Sequence, residues 1–503
     1  MSRLLEHLVA LALAASLPAC APALKMVERG TVVAHQDLEA QRTDLRAMVS
    51  AALQRGETAR AFYILEVEKS RQFAGLTRTT PEAQAAPPVN PIEGVEVHRG
   101  AAVEGSRGLQ LEVTVSPKLK SNDEARERAF WQEQKELSTL LGSIQSRGMP
   151  YGMTLQDRFV VMTAEEVTRA VTLDQVLLSY FVGADAVYVF AARRSGMRVA
   201  RLALPPSELE AKVGALVRSA RRVGDESWSG QAQELYQALL GPVESSLAGV
   251  KTITIVPHGF LSNLPFVLLR GGNPQKLLLE RATVSYLPSA SFYRTLLERP
   301  VFSDPPRMLA VGNARYPAPW PALPEAEVEA RALARLFAGS VALTREAATE
   351  ERFLDLYRRY NVLHFATHGM LVGTLAADAS SILLSPSFRA DGYLTAAEIS
   401  RLFLSRSYLA VLSACETSVS SGASSSLDSI SAAFLAAGAP SVIGSQWKVS
   451  DESTARLMVD FYARFLEVGT AAALRNAQLA LAAEPATRHP FFWAAFVLYG
   501  WDK

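Results

Sequence analysis

Two short segments decide how this chain reads: N-V-L-H-F-A-T-H-G-M at 361–370 and Y-L-A-V-L-S-A-C-E-T at 408–417. Each is an apolar run that stops at a reactive side chain. In the first it is His368, followed by Gly369, and in the second Cys415. Runs rich in Val, Leu and Phe, bounded by Gly and polar residues, read as buried strands. In open parallel α/β sheets, chemistry sits just past the carboxyl ends of the strands. A His and a Cys at two such ends stand where a thiol nucleophile and its base would be placed.

The rest of the chain from about Val160 supports an α/β reading. Val176–Phe181 and Ala186–Ala191 predict a hairpin with Gly183-Ala184-Asp185 as its turn, and Val199–Leu204 a third strand. Helices are expected at Pro206–Val223 and Ser229–Leu247, then a buried strand at Thr252–Val256. Asp304-Pro305-Pro306 marks a boundary, after which the rhythm repeats. Strands are expected at Met308–Val311, Val341–Leu343, Val362–Ala366, Ile382–Leu384, Leu409–Leu412 and Ser441–Gly444. Helices are expected at Glu325–Phe337, Thr349–Tyr360, Thr395–Phe403, Ser429–Ala437, Glu452–Val468 and Thr470–Ala483, with an aromatic closing strand at Phe491–Tyr499. Such alternation predicts a mainly parallel sheet covered by helices on both faces. I-V-P-H-G (255–259) echoes F-A-T-H-G (365–369), but no cysteine follows it, so His258 reads as a structural or degenerate residue.

Upstream, Leu38 to Phe73 carries helical spacing broken at Arg55-Gly56-Glu57, which reads as one helical hairpin over 34–76. A single hairpin of that size does not bury both its faces, so it needs a further surface to lean on. Thr77–Asn90 reads as linker, Leu109–Val115 as a strand and Asp123–Ser146 as a surface helix.

With 503 residues the chain is too long for one core, so two or three domains are expected. It is 49% hydrophobic and 20% charged with a formal net charge of +1, which gives no electrostatic footprint for nucleic acid. The two cysteines, Cys20 and Cys415, form no zinc spacing and imply no disulfide framework. Leu8–Leu17 is a short apolar run followed by Leu17-Pro18-Ala19-Cys20, which resembles a bacterial lipobox with Cys20 as the acylated residue. The cell envelope is then the expected location, with the membrane reached only through that anchor. The alternative is a cytoplasmic protein whose first residues form a helix. No other apolar run approaches eighteen residues, so no transmembrane helix is expected.

A thiol becomes a good nucleophile when a base or cationic neighbour lowers its pKa, and an imidazole beside it also protonates the leaving amine. His368 precedes Cys415 by 47 residues, near the roughly fifty of caspase-type enzymes. The backbone N–H groups of Gly369 and Cys415 are candidate oxyanion donors. Rival chemistries find little support. His364 and His368 lack a Glu between them and a third ligand, so no metal is expected, and no G-x-S-x-G, Walker A or G-x-G-x-x-G occurs, so no cofactor is expected. His364 reads as an interior histidine, and a buried, inert Cys415 remains the plainest alternative.

Taken together, residues from about 160 to 503 resemble the CHAT domain, a caspase-like domain found beside tetratricopeptide repeats. The resemblance is carried by T-I-V-P-H-G-F-L-S-N-L-P-F, V-S-Y-L-P-S-A-S, A-V-G-N-A-R-Y-P, V-L-H-F-A-T-H-G, D-G-Y-L-T-A-A-E-I and V-L-S-A-C-E-T. It continues through F-L-A-A-G-A-P-S-V-I-G-S-Q-W-K-V-S-D-E-S-T and H-P-F-F-W-A-A-F-V-L-Y-G, in family order. It implies a pseudo-caspase half at 151–303 and a caspase-like catalytic half at 304–503, preceded by the candidate lipoprotein signal at 1–20 and a helical region with one tetratricopeptide-like hairpin and linker at 21–150 read above. It further implies a cysteine endopeptidase with His368 as base and Cys415 as nucleophile, acting on a protein substrate. The Ser-rich stretch after Cys415 and the lone helical hairpin, which both need ordering, add the expectation that a regulatory protein partner or processing gates it. A catalytically silent scaffold that binds a protein partner is the alternative, and an acyltransferase would use the same pair. Two departures matter. The loop after the cysteine, V-S-S-G-A-S-S-S-L-D, is Ser-rich where the family is usually Gly-rich. Ser413 stands where metacaspases carry an acid that selects basic P1 residues, so Asp378, Asp391 and Asp451 are the acids left as candidates for a specificity pocket.

Overall fold

Parallel strands hydrogen-bonded on both sides and covered on both faces must be apolar along their whole length, and that is how the sheet of this protein is built. The computed structural model describes residues 45–75, 160–299, 304–316, 320–370, 380–413 and 430–500. The chain divides into two compact units, Met1–Glu68 and Lys69–Lys503.

In the first unit the described chain is helical over 45–54 and again from Thr58, where α1 (Thr58–Gly75) begins; the unit ends within it, at Glu68. The break falls at Gly56, whose φ of 76° lies in the left-handed region that ends helices cheaply only at glycine. Val49, Ala52, Ala61, Phe62 and Leu65 are buried, and Arg46 Nε donates to Glu68 Oε1 at 2.9 Å. The expected strand at Leu109–Val115 and helix at Asp123–Ser146 lie outside the described residues.

The second unit is an α/β sheet of eleven strands. They are β1 (Gln175–Val182), β2 (Val187–Arg193), β3 (Gly196–Arg201), β4 (Thr252–Val256), β5 (Thr283–Tyr286) and β6 (Met308–Ala314). After these come β7 (Val341–Arg345), β8 (Val362–Ala366), β9 (Leu409–Leu412), β10 (Ser441–Ser445) and β11 (Phe496–Gly500). The spatial order is β3-β2-β1-β4-β5-β11-β10-β9-β8-β6-β7. Among the described residues seven of the sheet's ten pairings are parallel and β1–β2, β2–β3 and β10–β11 are antiparallel, so the sheet is mainly parallel, as expected. Every residue of β8, β9, β10 and β11 is buried, whereas the edge strand β3 alternates with exposed positions.

The last strand, β11, lies in the middle of the sheet and joins its two portions through one parallel pairing, Tyr286 with Tyr499, whose rings lie 5.6 Å apart. Gln446 and Gln478 reinforce that seam. Gln446 Nε2 donates to the Ser262 carbonyl at 3.1 Å, and Gln478 Nε2 donates to the carbonyls of Trp493 and Phe496 at 2.9 Å each. Beneath the carboxyl ends of β1 and β4, the buried Lys69 donates to Ser179 Oγ (3.0 Å) and to the carbonyls of Tyr180 (2.9 Å) and Val256 (3.1 Å).

Three expectations need correction, and one strand was not expected. The third strand runs over Gly196–Arg201, three residues before the expected Val199–Leu204, because a two-residue turn pairs Arg193 with Gly196 and fixes the register. Residues 381–383 form a strand outside the main sheet, antiparallel between Gly369–Met370 and Tyr393–Thr395. The closing strand starts at Phe496, not Phe491, because Pro490–Phe492 is a 3₁₀ turn capped by His489, whose Nδ1 accepts from Phe491 N–H at 3.2 Å. Finally, β5 was not foreseen: T-V-S-Y is too short and too polar to announce a strand by composition.

Candidate active site

The order β10-β9-β8-β6-β7 contains a reversal. The chain passes from β6 outward to β7, then returns to lay β8 on the other side of β6. Carboxyl ends of strands flanking such a reversal open a crevice. Into this crevice come the segments that follow β6, β8, β9 and β10. It is lined by Glu329, Thr367, His368, Ser413, Ser445 and Lys448 among others.

His368 lies two residues past β8, half-buried. Its Nε2 is 2.9 Å from the Pro321 carbonyl oxygen. A carbonyl only accepts, so Nε2 carries the proton and Nδ1 is the ring's acceptor. Two aromatic rings hold the imidazole in place: Tyr316, edge-on at 4.6 Å, and Trp320 at 5.1 Å. The Tyr316 hydroxyl accepts from Ala314 N–H (3.2 Å) and lies 2.7 Å from Thr367 Oγ1. Thr367 spends its own proton on the Leu383 carbonyl at 2.5 Å, so the phenol donates to threonine. Burial raises the Tyr316 pKa above the usual phenol range, which keeps that donor in place.

The segment that brings Trp320 and Pro321 to His368 is anchored at both ends. Asn313, at φ 46°, accepts from Leu323 N–H through Oδ1 at 2.7 Å and donates from Nδ2 to Glu327 Oε2 at 3.2 Å. Asparagine tolerates the left-handed region better than other residues with a β-carbon. After Leu323 begins α4 (Pro324–Ala334; taking Pro206–Ala220 as α2 and Trp228–Leu239 as α3), which packs on β6, β7 and β8. It comes close to β6 because Gly312 has no side chain: a Cβ there would stand 2.3 Å from the Ala326 carbonyl oxygen and 2.7 Å from the Ala330 Cβ.

A second network lies deeper. His364, fully buried in β8, has Nε2 3.1 Å from Glu329 Oε1 and Nδ1 3.2 Å from the Tyr462 hydroxyl. Ser413, one residue past β9, donates to the same Glu329 oxygen at 2.9 Å. His364 is therefore an interior histidine with both ring nitrogens engaged.

Of the residues singled out from sequence, His368 lies on the crevice and Gly369 begins the short strand paired with Ile382. Cys415 and Cys20 lie outside the described residues. The described chain reaches Ser413, two residues before Cys415. The pairing Phe365 with Leu412 ends the β8–β9 ladder three residues before His368 and three before Cys415. His258, in the other portion of the sheet, is buried, and its Nδ1 accepts from Val182 N–H at 3.0 Å. Asp378 lies outside the described residues, and Asp391 is exposed, capping its own turn through Tyr393 N–H at 2.9 Å. Nothing is described of the Asp451 side chain. The acid that does line the crevice is Glu329, which sequence reasoning passed over. Its signal was a carboxylate in register with Ala326, Ala330 and Leu333 on the apolar stripe of α4. Pro321 was missed because a carbonyl partner carries no side-chain code, and Tyr316 and Trp320 because their rings meet His368 across some fifty residues of sequence.

Over 321 residues the chain is 29% identical to human Tetratricopeptide repeat protein 28, and over 322 residues 28% identical to the mouse protein of that name. Each match takes in 53% of this chain and 13% of the relative, so the chain spans only a small part of those proteins. Among solved structures, the Saccharomyces cerevisiae separase–securin complex matches 69% of this chain and 32% of its own, at a TM-score of 0.45 and 11% identity. The Arg-specific cysteine proteinase gingipain R matches 58% of this chain and 75% of its own, at 0.36 and 10%. The family model of the CHAT domain matches residues 230–501, over half of the chain, from within α3 through β11 and across both segments with which the sequence was read: this chain belongs to the CHAT domain family.

Proposed function

We propose that this protein is a cysteine endopeptidase of caspase type in which His368 is the general base and Cys415 the nucleophile. The observation that carries the reading is the 2.9 Å hydrogen bond from His368 Nε2 to the Pro321 carbonyl. It leaves Nδ1 as the ring's acceptor, and the same carbonyl stabilises the imidazolium once Nδ1 is protonated.

The step runs as follows. The Cys415 thiol gives its proton to His368 Nδ1, and the thiolate adds to the scissile carbonyl carbon. The oxygen becomes an oxyanion, for which the N–H groups of Gly369 and Cys415 are the donors in this reading. His368 returns the proton to the departing amine as the C–N bond breaks, leaving a thioester. Water, losing a proton to the same imidazole, hydrolyses it and restores the thiol. A regulatory protein partner or a processing event gates the reaction, a view that rests on the Ser-rich sequence V-S-S-G-A-S-S-S-L-D after the nucleophile. Acylation at Cys20 would place the enzyme at the cell envelope.

The test is hydrolysis of a diverse peptide library by the purified full chain beside its Cys415→Ala variant. Turnover that vanishes in the variant is expected. Equal turnover in both would remove the peptidase reading and leave a scaffold that binds a protein partner.

A further inference from the structure

Glu329 stands where α4 meets the ends of β8 and β9. Its Oε1 accepts two hydrogen bonds, one from His364 Nε2–H at 3.1 Å and one from Ser413 Oγ–H at 2.9 Å. The directions follow from the far end of the chain. The Tyr462 hydroxyl is fully buried, and burial holds its pKa well above the usual phenol range, so it keeps its proton. Among the described residues its partner is His364 Nδ1, at 3.2 Å, and a buried hydroxyl donates where it can. Nδ1 therefore accepts, Nε2 donates, and the relay Tyr462–His364–Glu329 ends on an oxygen that also takes the Ser413 proton. The other carboxylate oxygen, Oε2, makes no hydrogen bond among the described residues.

The two donors belong to the two strands that lead to the proposed dyad. His364 is four residues before His368, and Ser413 is two residues before Cys415. The β8–β9 ladder ends at Phe365 with Leu412. Among the described residues no ladder pairing follows that row, and Ser413, the first residue past it, is tied through the Glu329 oxygen to His364, which sits one row inside the ladder opposite Val411. We infer that Glu329 is a positioning residue that sets the Cys415 segment in register with His368 by holding Ser413 and His364 on one carboxylate oxygen. The inference rests on the proposed roles of His368 and Cys415. It assigns Glu329 no contact with substrate.

The experiment is the pH dependence of iodoacetamide alkylation at Cys415 in the full chain, read by peptide mass spectrometry so that Cys20 does not contribute. Wild type is compared with Ser413→Ala, Glu329→Ala and Glu329→Gln, and thermal melts report folding. Losing the tie separates thiol from imidazole, so S413A and E329A should move the inflection up toward the ordinary thiol value of about 8.5. Alkylation at pH 7 should slow by roughly tenfold for each unit moved. E329Q, whose amide oxygen accepts the same two bonds, should keep the wild-type inflection. A purely structural role would lower the melting temperature of S413A and E329A and leave the inflection in place, which overturns the inference. If E329A does not fold, S413A decides. An ordinary inflection already in wild type would instead overturn the role of His368 as base, and this inference with it. A depressed wild-type inflection shared by all variants overturns the inference alone.

Discussion

Replacing Gly312 by Ala tests how the fold delivers the crevice. The added Cβ would stand 2.3 Å from the Ala326 carbonyl oxygen and 2.7 Å from the Ala330 Cβ, both on α4. Carbon and carbonyl oxygen come no closer than about 3.3 Å, so α4 and β6 must separate by roughly 1 Å. Neither neighbour is the end of a flexible side chain, so the shift falls on the helix itself. Overpacking of this kind costs about 1–3 kcal/mol, and at about 2–4 °C per kcal/mol for a unit of a few hundred residues the melting temperature should fall by roughly 2–12 °C. The displaced helix begins at Pro324, three residues after Pro321, and carries Glu329. The 2.9 Å hydrogen bond to His368 and the 2.9 Å bond to Ser413 should therefore weaken together. The assays are calorimetric melting and alkylation of Cys415 at pH 7, with slower labelling expected in G312A. A variant that melts within 1 °C of wild type would refute the close approach of α4 to β6. One that melts lower yet labels at the wild-type rate would refute the link from that packing to the site.

Tyr316→Phe removes a part-buried hydroxyl that accepts from Ala314 N–H and bonds Thr367, and should cost about 1 kcal/mol in urea unfolding; an unchanged midpoint would contradict the bonding described. Glu350, buried, has its pKa raised chiefly by burial and then by Glu398. The folded state therefore binds its proton more readily than the unfolded state. Stability from this group is present below the unfolded carboxyl value of about 4.3 and lost as pH rises through the folded value. Glu350→Gln, which still accepts from Gly392 N–H, should melt above wild type at pH 7, with the gap closing near pH 4; a pH-independent gap would contradict this.

Much of the sheet was legible because its strands are buried on both faces and announce themselves as apolar runs. Thr252–Val256, Val362–Ala366 and Leu409–Leu412 begin and end where their apolar runs do, and Thr470–Ala483 is helical throughout. Pairings at long range were not legible. That β11 threads between β5 and β10 depends on Tyr286 meeting Tyr499, and no local pattern states it. Edge and turn segments misled for a related reason. β3 takes its register from the turn rather than from Leu202 and Leu204, and Phe491 and Trp493 look like strand but follow a proline that starts a 3₁₀ turn. At the site, His368 was visible because imidazole after a strand is a chemical signal. Its orienting partner was not, because any residue at 321 offers a carbonyl.

The central claim is that His368 activates Cys415, and the pH profile of Cys415 alkylation in wild type and His368→Ala tests it without knowledge of the substrate. An imidazole that takes the thiol proton depresses the thiol inflection below about 8.5 in wild type, and its removal returns the inflection to that value with slower labelling at pH 7. Identical profiles in the two proteins would contradict the account.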